Sequence, residues 1–166
     1  HDRALRRAGP WGLGRARQRI KVQPFGCHAD IAFVVIPPQP GAVGIDLDLR
    51  MDPEALAAAI VDDRAAGRDP FLVVASAGTT DTGTVDPLEP LARIVADEGL
   101  WLHVDAAYGG FFQLTTRGHA VLSGIQQADS IAIDPHKGLS VPFGVGAILV
   151  RDEAHLIDAN QGRGAY

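Results

Sequence analysis

Two side chains in this sequence could do chemistry that most of its residues cannot. Lys137 is one of two lysines, with Lys21, against thirteen arginines. It follows Pro135-His136, precedes Gly138, and lies in an apolar stretch. Desolvation in such a setting makes an amine a better nucleophile toward an aldehyde. The plainer alternative is a surface amine in a turn. Asp105 closes a mostly apolar run, Leu100-Trp101-Leu102-His103-Val104. A carboxylate there is costly without a cationic partner. A protonated pyridine nitrogen would be such a partner, and a ring kept cationic stabilises a carbanion on an attached carbon. A helix cap or a salt bridge to arginine would explain Asp105 equally well.

These groups need elements to position them. Asp52-Pro53-Glu54 places an N-cap before a proline at the first helical position. Leu56, Ala59, Ile60 and Ala66 follow at helical spacing, and Gly67 supplies a stop. Phe71–Ala75 is a continuous apolar run that suits a strand buried on both faces. Asp86-Pro87-Leu88-Glu89 resembles a capping box, and Leu88, Leu91, Ile94 and Val95 then form one apolar face ended by Gly99. Leu100–Val104 is the next strand. A third, shorter helix is expected over Gly118–Ile125, followed by a strand at Ser130–Ile133. Val145–Val150 follows too closely for a crossover helix, so an antiparallel strand is expected. Before Arg50 the pattern is less legible: a helix over Asp2–Arg7, a short strand within Ala32–Ile36, and the loop Pro37-Pro38-Gln39-Pro40-Gly41.

Strands alternating with helices mean an α/β fold around a parallel-rich sheet. Ligands of such sheets bind at the carboxyl ends of the strands. Those ends carry Ser76–Gly83, Asp105–Gly110 and Asp134–Gly138. Hydroxyls, a carboxylate, and an imidazole beside an amine should therefore converge on one edge.

Composition narrows the function classes. The 166 residues suit one domain, and 46% hydrophobic with 21% charged residues is ordinary for a globular chain. The net charge of −5 argues against a nucleic-acid or acidic-membrane partner. The one basic run, from Arg3 to Lys21, reads as a solvated helix face. A single cysteine, Cys27, leaves no disulfide framework or multi-cysteine zinc site and fits a reducing, cytoplasmic compartment. No apolar run approaches the ~20 residues of a membrane span. His1-Asp2-Arg3-Ala4-Leu5 has no apolar signal core and no initiator methionine, so the sequence reads as the middle of a longer chain. His103, Asp105 and His136 could suggest a metal, but further ligands at suitable spacing are missing and none is expected. Gly12-x-Gly14 lacks a third glycine and a leading strand, which argues against a dinucleotide loop. Cys27-His28 reads as a structural pair, Trp101 as packed in the core or against a helix, and His119 and His155 as without a role.

Ala77-Gly78-Thr79-Thr80, then His103-Val104-Asp105-Ala106-Ala107-Tyr108-Gly109-Gly110, then Asp129-Ser130 and Asp134-Pro135-His136-Lys137, resemble the pyridoxal phosphate-dependent group II amino acid decarboxylases. Aromatic amino acid and glutamate decarboxylases belong to that family. The resemblance is clear from Met51 to Asp152. It implies a partial large domain of the aspartate aminotransferase-like (fold type I) architecture, mostly parallel with one antiparallel strand. It also implies that the upstream phosphate loop and the C-terminal small domain lie outside these residues. The implied activity is decarboxylation of an L-amino acid to an amine by a homodimer, with pyridoxal 5'-phosphate held by Lys137 as an aldimine. An aminotransferase, a carbon–sulfur lyase or a non-catalytic remnant on the same fold is the alternative. By resemblance Asp105 partners the pyridinium, Ala107 lies against one face of the ring, Thr80 hydrogen-bonds near the cofactor, and His136 contacts the phosphate or the active-site network. Asp134 stands where many members have asparagine contacting the phosphate. Tyr166 falls near the tyrosine of the family's mobile catalytic loop, which protonates the product carbanion. His1 stands in for the histidine that stacks on the ring.

Overall fold

The computed structural model describes residues 33–35 and 41–160. They form one six-stranded sheet in the order β2-β1-β3-β4-β5-β6. Its strands are β1 (Phe33–Val35), β2 (Gly41–Ala42), β3 (Leu72–Ser76), β4 (Trp101–Asp105), β5 (Ser130–Ile133) and β6 (Ala147–Val150). The three central strands β3, β4 and β5 are parallel, and β6 runs antiparallel to β5 as its short connection requires. The apolar run before Pro37 forms β1, which adds a further antiparallel strand beside β3 and pairs in turn with β2.

Among the described residues five helices accompany the sheet: α1 (Pro53–Ala65), α2 (Leu88–Asp97), α3 (Thr116–Val121), α4 (Pro135–Gly138) and α5 (Glu153–Asn160). Asp52 caps α1 as expected, its carboxylate accepting the amide of Glu54 at 2.8 Å, and Gly67 beyond the helix takes a left-handed φ of +75°. Leu56 and Ile60 of α1 and Leu88, Leu91, Ala92 and Val95 of α2 are buried. With Val73 and Ala75 of β3 and Leu102 and Val104 of β4, they make the core on one face of the sheet. Each fully buried aliphatic side chain there contributes ~1.5–3 kcal/mol of hydrophobic stabilisation.

Several expectations are corrected. Leu72, Val74 and Ser76 are only half-buried, so among the described residues β3 has one fully buried face and not two. The third helix spans Thr116–Val121 behind a Thr115 cap. The left-handed Gly124 (φ +96°) then breaks the chain into a separate 3-10 turn, Ile125–Gln127. Asp86 does not cap α2, which begins after Pro87 with no side-chain cap. The buried Asp86 carboxylate instead accepts the amides of Met51 and Ser76, each at 2.7 Å.

Candidate active site

The parallel register brings three strand ends level. Ser76 pairs with Asp105, and Asp105 with Ala132. The ladder runs on past the strands, with the Ala77 amide donating to the Asp105 carbonyl (2.8 Å) and the Ala106 amide to the Ala132 carbonyl (2.9 Å). Thr79-Thr80, Asp105-Ala106-Ala107 and Asp134-Pro135-His136-Lys137 therefore leave the sheet on the same edge, as the strand-end rule requires.

Asp105 is exposed at the end of β4. One of its oxygens accepts the Ala107 amide at 3.1 Å, and among the described residues it makes no ion pair. Two glycines hold its loop against that of β3. A Cβ on Gly78, whose φ is +98°, would come within 2.8 Å of the Gly109 Cα, so the two backbones pack directly on each other. Beyond Gly78 the hydroxyls of Thr79, Thr82 and Thr84 share hydrogen bonds of 2.6 Å in series. Thr80 is exposed beside them.

Lys137 lies in the single turn of α4. Its ammonium meets the Asp134 carboxylate at 2.9 Å, and its side chain is 37% exposed. The apolar, desolvating surroundings expected from the sequence are thus not what the described residues provide. Asp134, at the start of the turn, spends its carboxylate on Lys137 and not on the helix amides. The His136 ring is held by the Val145 carbonyl at 2.7 Å and by an edge contact with Phe143, 5.0 Å between centroids. Gly138 sets the seat of this turn: a Cβ there would lie 2.9 Å from the Cβ of Phe111, in the segment that follows Asp105.

Sequence reasoning missed two features. The Asp86 clamp ties the end of β3 to Met51, and burial pushes its carboxyl above the ordinary 3.8, against the lowering effect of the two amides. The second is a polar relay behind Asp105. Trp101 and His103 share its strand face, and both reach the Ser130 hydroxyl: Trp101 Nε1 donates to it at 2.8 Å, and His103 Nδ1 lies 2.8 Å from it. Burial holds His103 below the ordinary 6.5, while the nearby Asp105 charge acts in the opposite direction. The signal was present: an indole and an imidazole two residues apart on one strand face each carry ring nitrogens that need a polar partner. Trp101 also packs edge-on against His155 of α5, 5.1 Å between centroids, as its expected place against a helix allows. Among the described residues, one cavity of about 370 Å³ is lined by Arg50, Asp86–Pro90 and Ser123, and another of about 350 Å³ by Gly78, Tyr108, Gly109, Phe112 and Arg117; neither is lined by Asp105 or Lys137. His1, Tyr166, the basic run Arg3–Lys21, Gly12-x-Gly14 and Cys27-His28 lie outside the described residues.

A lysine turn, a strand-end aspartate and a hydroxyl loop on one edge of a parallel α/β sheet define a class of site, and comparison with known proteins places the chain within it. Residues 39–166 match the pyridoxal-dependent decarboxylase conserved domain, and the chain belongs to that family. It is 46% identical over 111 residues to the aromatic-L-amino-acid decarboxylase of Bacillus atrophaeus, covering 67% of this chain and 23% of that protein. It is 45% identical over 108 residues to the cysteine sulfinic acid decarboxylase of Mus musculus, covering 65% of this chain and 22% of that one. The crystal structure of mouse CSAD superposes with a TM-score of 0.70 at 42% identity, over 75% of this chain and 26% of that chain. That of Oryza sativa TDC with PLP superposes at 0.62 and 37%, over 66% and 23%. The chain thus spans about a quarter of the length of the relatives it matches. The α/β architecture is the fold type I arrangement of these neighbours, present in part.

Proposed function

We propose that this chain is the lysine-bearing core of a pyridoxal 5'-phosphate-dependent decarboxylase that converts an L-amino acid to an amine. The observation that carries this reading is the delivery of Lys137 and Asp105 to the same sheet edge by adjoining parallel strands. The donor set fits the cofactor: a primary amine for its aldehyde, and a carboxylate without an ion pair among the described residues for its ring nitrogen. When bound, the cofactor supplies the electron sink for the pair released as carbon dioxide leaves.

The residues divide the work. Lys137 provides the amine for covalent attachment, and Asp134 orients that amine until it is used. Asp105 would hold the ring nitrogen in its protonated form, one of its oxygens already accepting the Ala107 amide. Ala107, small and half-buried, leaves room for a flat ring beside it. Thr80 and His136 supply polar contacts at the rim. Tyr166 and His1 are assigned proton donation to the product carbon and ring stacking. A homodimeric assembly and a cytoplasmic setting belong to the same reading, supported by the family resemblance and the single cysteine.

The test is borohydride reduction of the full-length protein that contains this core, loaded with pyridoxal 5'-phosphate, followed by peptide mapping and product analysis. Fixation on Lys137, with release of carbon dioxide and an amine, is expected. Labelling of Lys21 alone, or no label, overturns the assignment; a keto acid product points to an aminotransferase.

A further inference from the structure

The relay behind Asp105 has a definite proton arrangement. Trp101 Nε1 can only donate, so the Ser130 oxygen accepts from it. Ser130 is buried, and its one hydroxyl proton needs an acceptor. Among the described residues His103 Nδ1, at 2.8 Å, is the acceptor in reach. Were Nδ1 protonated, the Ser130 oxygen would accept twice and its own proton would have no partner among the described residues. The arrangement that satisfies every group has Ser130 donating to Nδ1, which puts the imidazole proton on Nε2.

Resting on the reading of Asp105 as the ring-nitrogen partner, we propose that Ser130, set by Trp101, is a positioning residue that keeps His103 neutral with its proton on Nε2, so that Asp105 faces no competing cation on its own strand. His103 and Asp105 are two residues apart on one strand face, about 6.6 Å along the strand. A protonated imidazole there would draw the Asp105 charge away from the cofactor. Burial acts in the same direction, disfavouring the charged ring. The neighbouring elements present little else that is charged. Opposite His103, β3 places Val74, and β5 places Ser130. Asp129 is engaged with the Leu102 amide at 2.8 Å and lies 3.9 Å from Arg151. His155 of α5 meets Trp101 edge-on, 5.1 Å between ring centroids.

The tautomer is read by nitrogen-15 NMR of the histidine side chains in the cofactor-free protein. The wild type should show a single neutral form at His103, protonated at Nε2, through the neutral pH range. Ser130→Ala should lose that single form, the proton then distributing over both nitrogens. Ser130→Thr, which keeps the hydroxyl, should retain it. In the loaded protein Ser130→Ala should shift the pH titration of the cofactor's visible absorbance, and Ser130→Thr should not. A wild-type His103 protonated at Nδ1 or doubly protonated overturns the proposal, as does an absorbance titration that Ser130→Ala leaves unmoved. Borohydride labelling of Lys137 reports the functional reading separately: label without the Nε2–H form refutes only the proton arrangement, and no label refutes the functional reading on which Asp105's role depends.

Discussion

Replacing Asp86 should loosen the loop that carries Thr79 and Thr80 without touching the reacting groups. Asp86 is buried, and its two oxygens each accept one main-chain amide at 2.7 Å, from Met51 and from Ser76. Its own amide returns the bond to the Ser76 carbonyl at 2.9 Å, so the end of β3 is held from both sides. Asp86→Ala leaves one buried amide, of Met51, and one part-buried amide, of Ser76, unpaired, at ~1–3 kcal/mol for a fully buried group. Part of that is offset, because the variant no longer buries a carboxylate whose desolvation outweighs its hydrogen bonds. The expected net loss is ~2–4 kcal/mol. Asp86→Asn keeps one acceptor and turns an amide group toward the other N–H, so a smaller loss of ~1–3 kcal/mol is expected. The pH dependence has a definite sign. The folded carboxyl is raised above the unfolded 3.8, so the folded state binds the extra proton. Asp86's contribution is therefore full below that value and falls as pH rises through the folded pKa. The gap in stability between wild type and Asp86→Asn should narrow over that window. Urea unfolding across acidic to neutral pH measures both effects. An Asp86→Ala loss under ~0.5 kcal/mol, the ordinary surface value, or a gap that widens with pH, would refute the reasoning.

Three further outcomes follow from the same geometry. Asp105→Asn should lower kcat by ~10²-fold or more, by analogy with loss of a preorganised electrostatic partner, while leaving borohydride labelling of Lys137 intact; unchanged kcat in steady-state assays removes Asp105 from the site. Gly138→Ala should cost ~1–3 kcal/mol and reduce cofactor retention, because the added methyl meets the Phe111 side chain and tilts the Lys137 turn; equal melting temperature and retention would show that Phe111 yields freely. His103→Gln should remove an acid-side loss of stability. The folded His103 pKa lies below the unfolded 6.5, so wild-type stability is full above that value and falls as pH drops through the folded pKa. Parallel denaturant titrations of the two proteins should diverge only on the acid side.

The parts of the molecule legible in the sequence are those decided by neighbours in the chain. The central strands, the Asp52 cap and the placement of Asp105 at a strand end and Lys137 beyond one all follow from local pattern. What escaped is decided by partners far away in sequence. Asp52-Pro53-Glu54 and Asp86-Pro87-Leu88-Glu89 look alike, yet only the first aspartate caps its helix. At position 86 the amides of Met51 and Ser76 compete for the carboxylate, and buried amides must be paired. No window around Asp86 contains Met51, 35 residues away. Lys137 differs for a local reason: its flanks are mostly apolar, but the turn of α4 brings Asp134, three residues back, to the amine.

The Trp101–Ser130–His103 relay shows how much rests on register. It spans 29 residues of sequence, and it exists because His103 pairs with Ser130 across β4 and β5. A slip of one residue would turn Ser130 toward the face covered by α2 and bring Ile131 against His103. The same slip would carry Asp134 and Lys137 out of step with Asp105. The relay and the candidate catalytic pair therefore depend on one strand alignment. Asp129 fixes that alignment from its own main chain and side chain, its amide donating to the Leu102 carbonyl and its carboxylate accepting the Leu102 amide, both at 2.8 Å. An alignment that places Asp105 beside the strand leading to Lys137 thus also supplies the hydroxyl that keeps His103 uncharged behind Asp105.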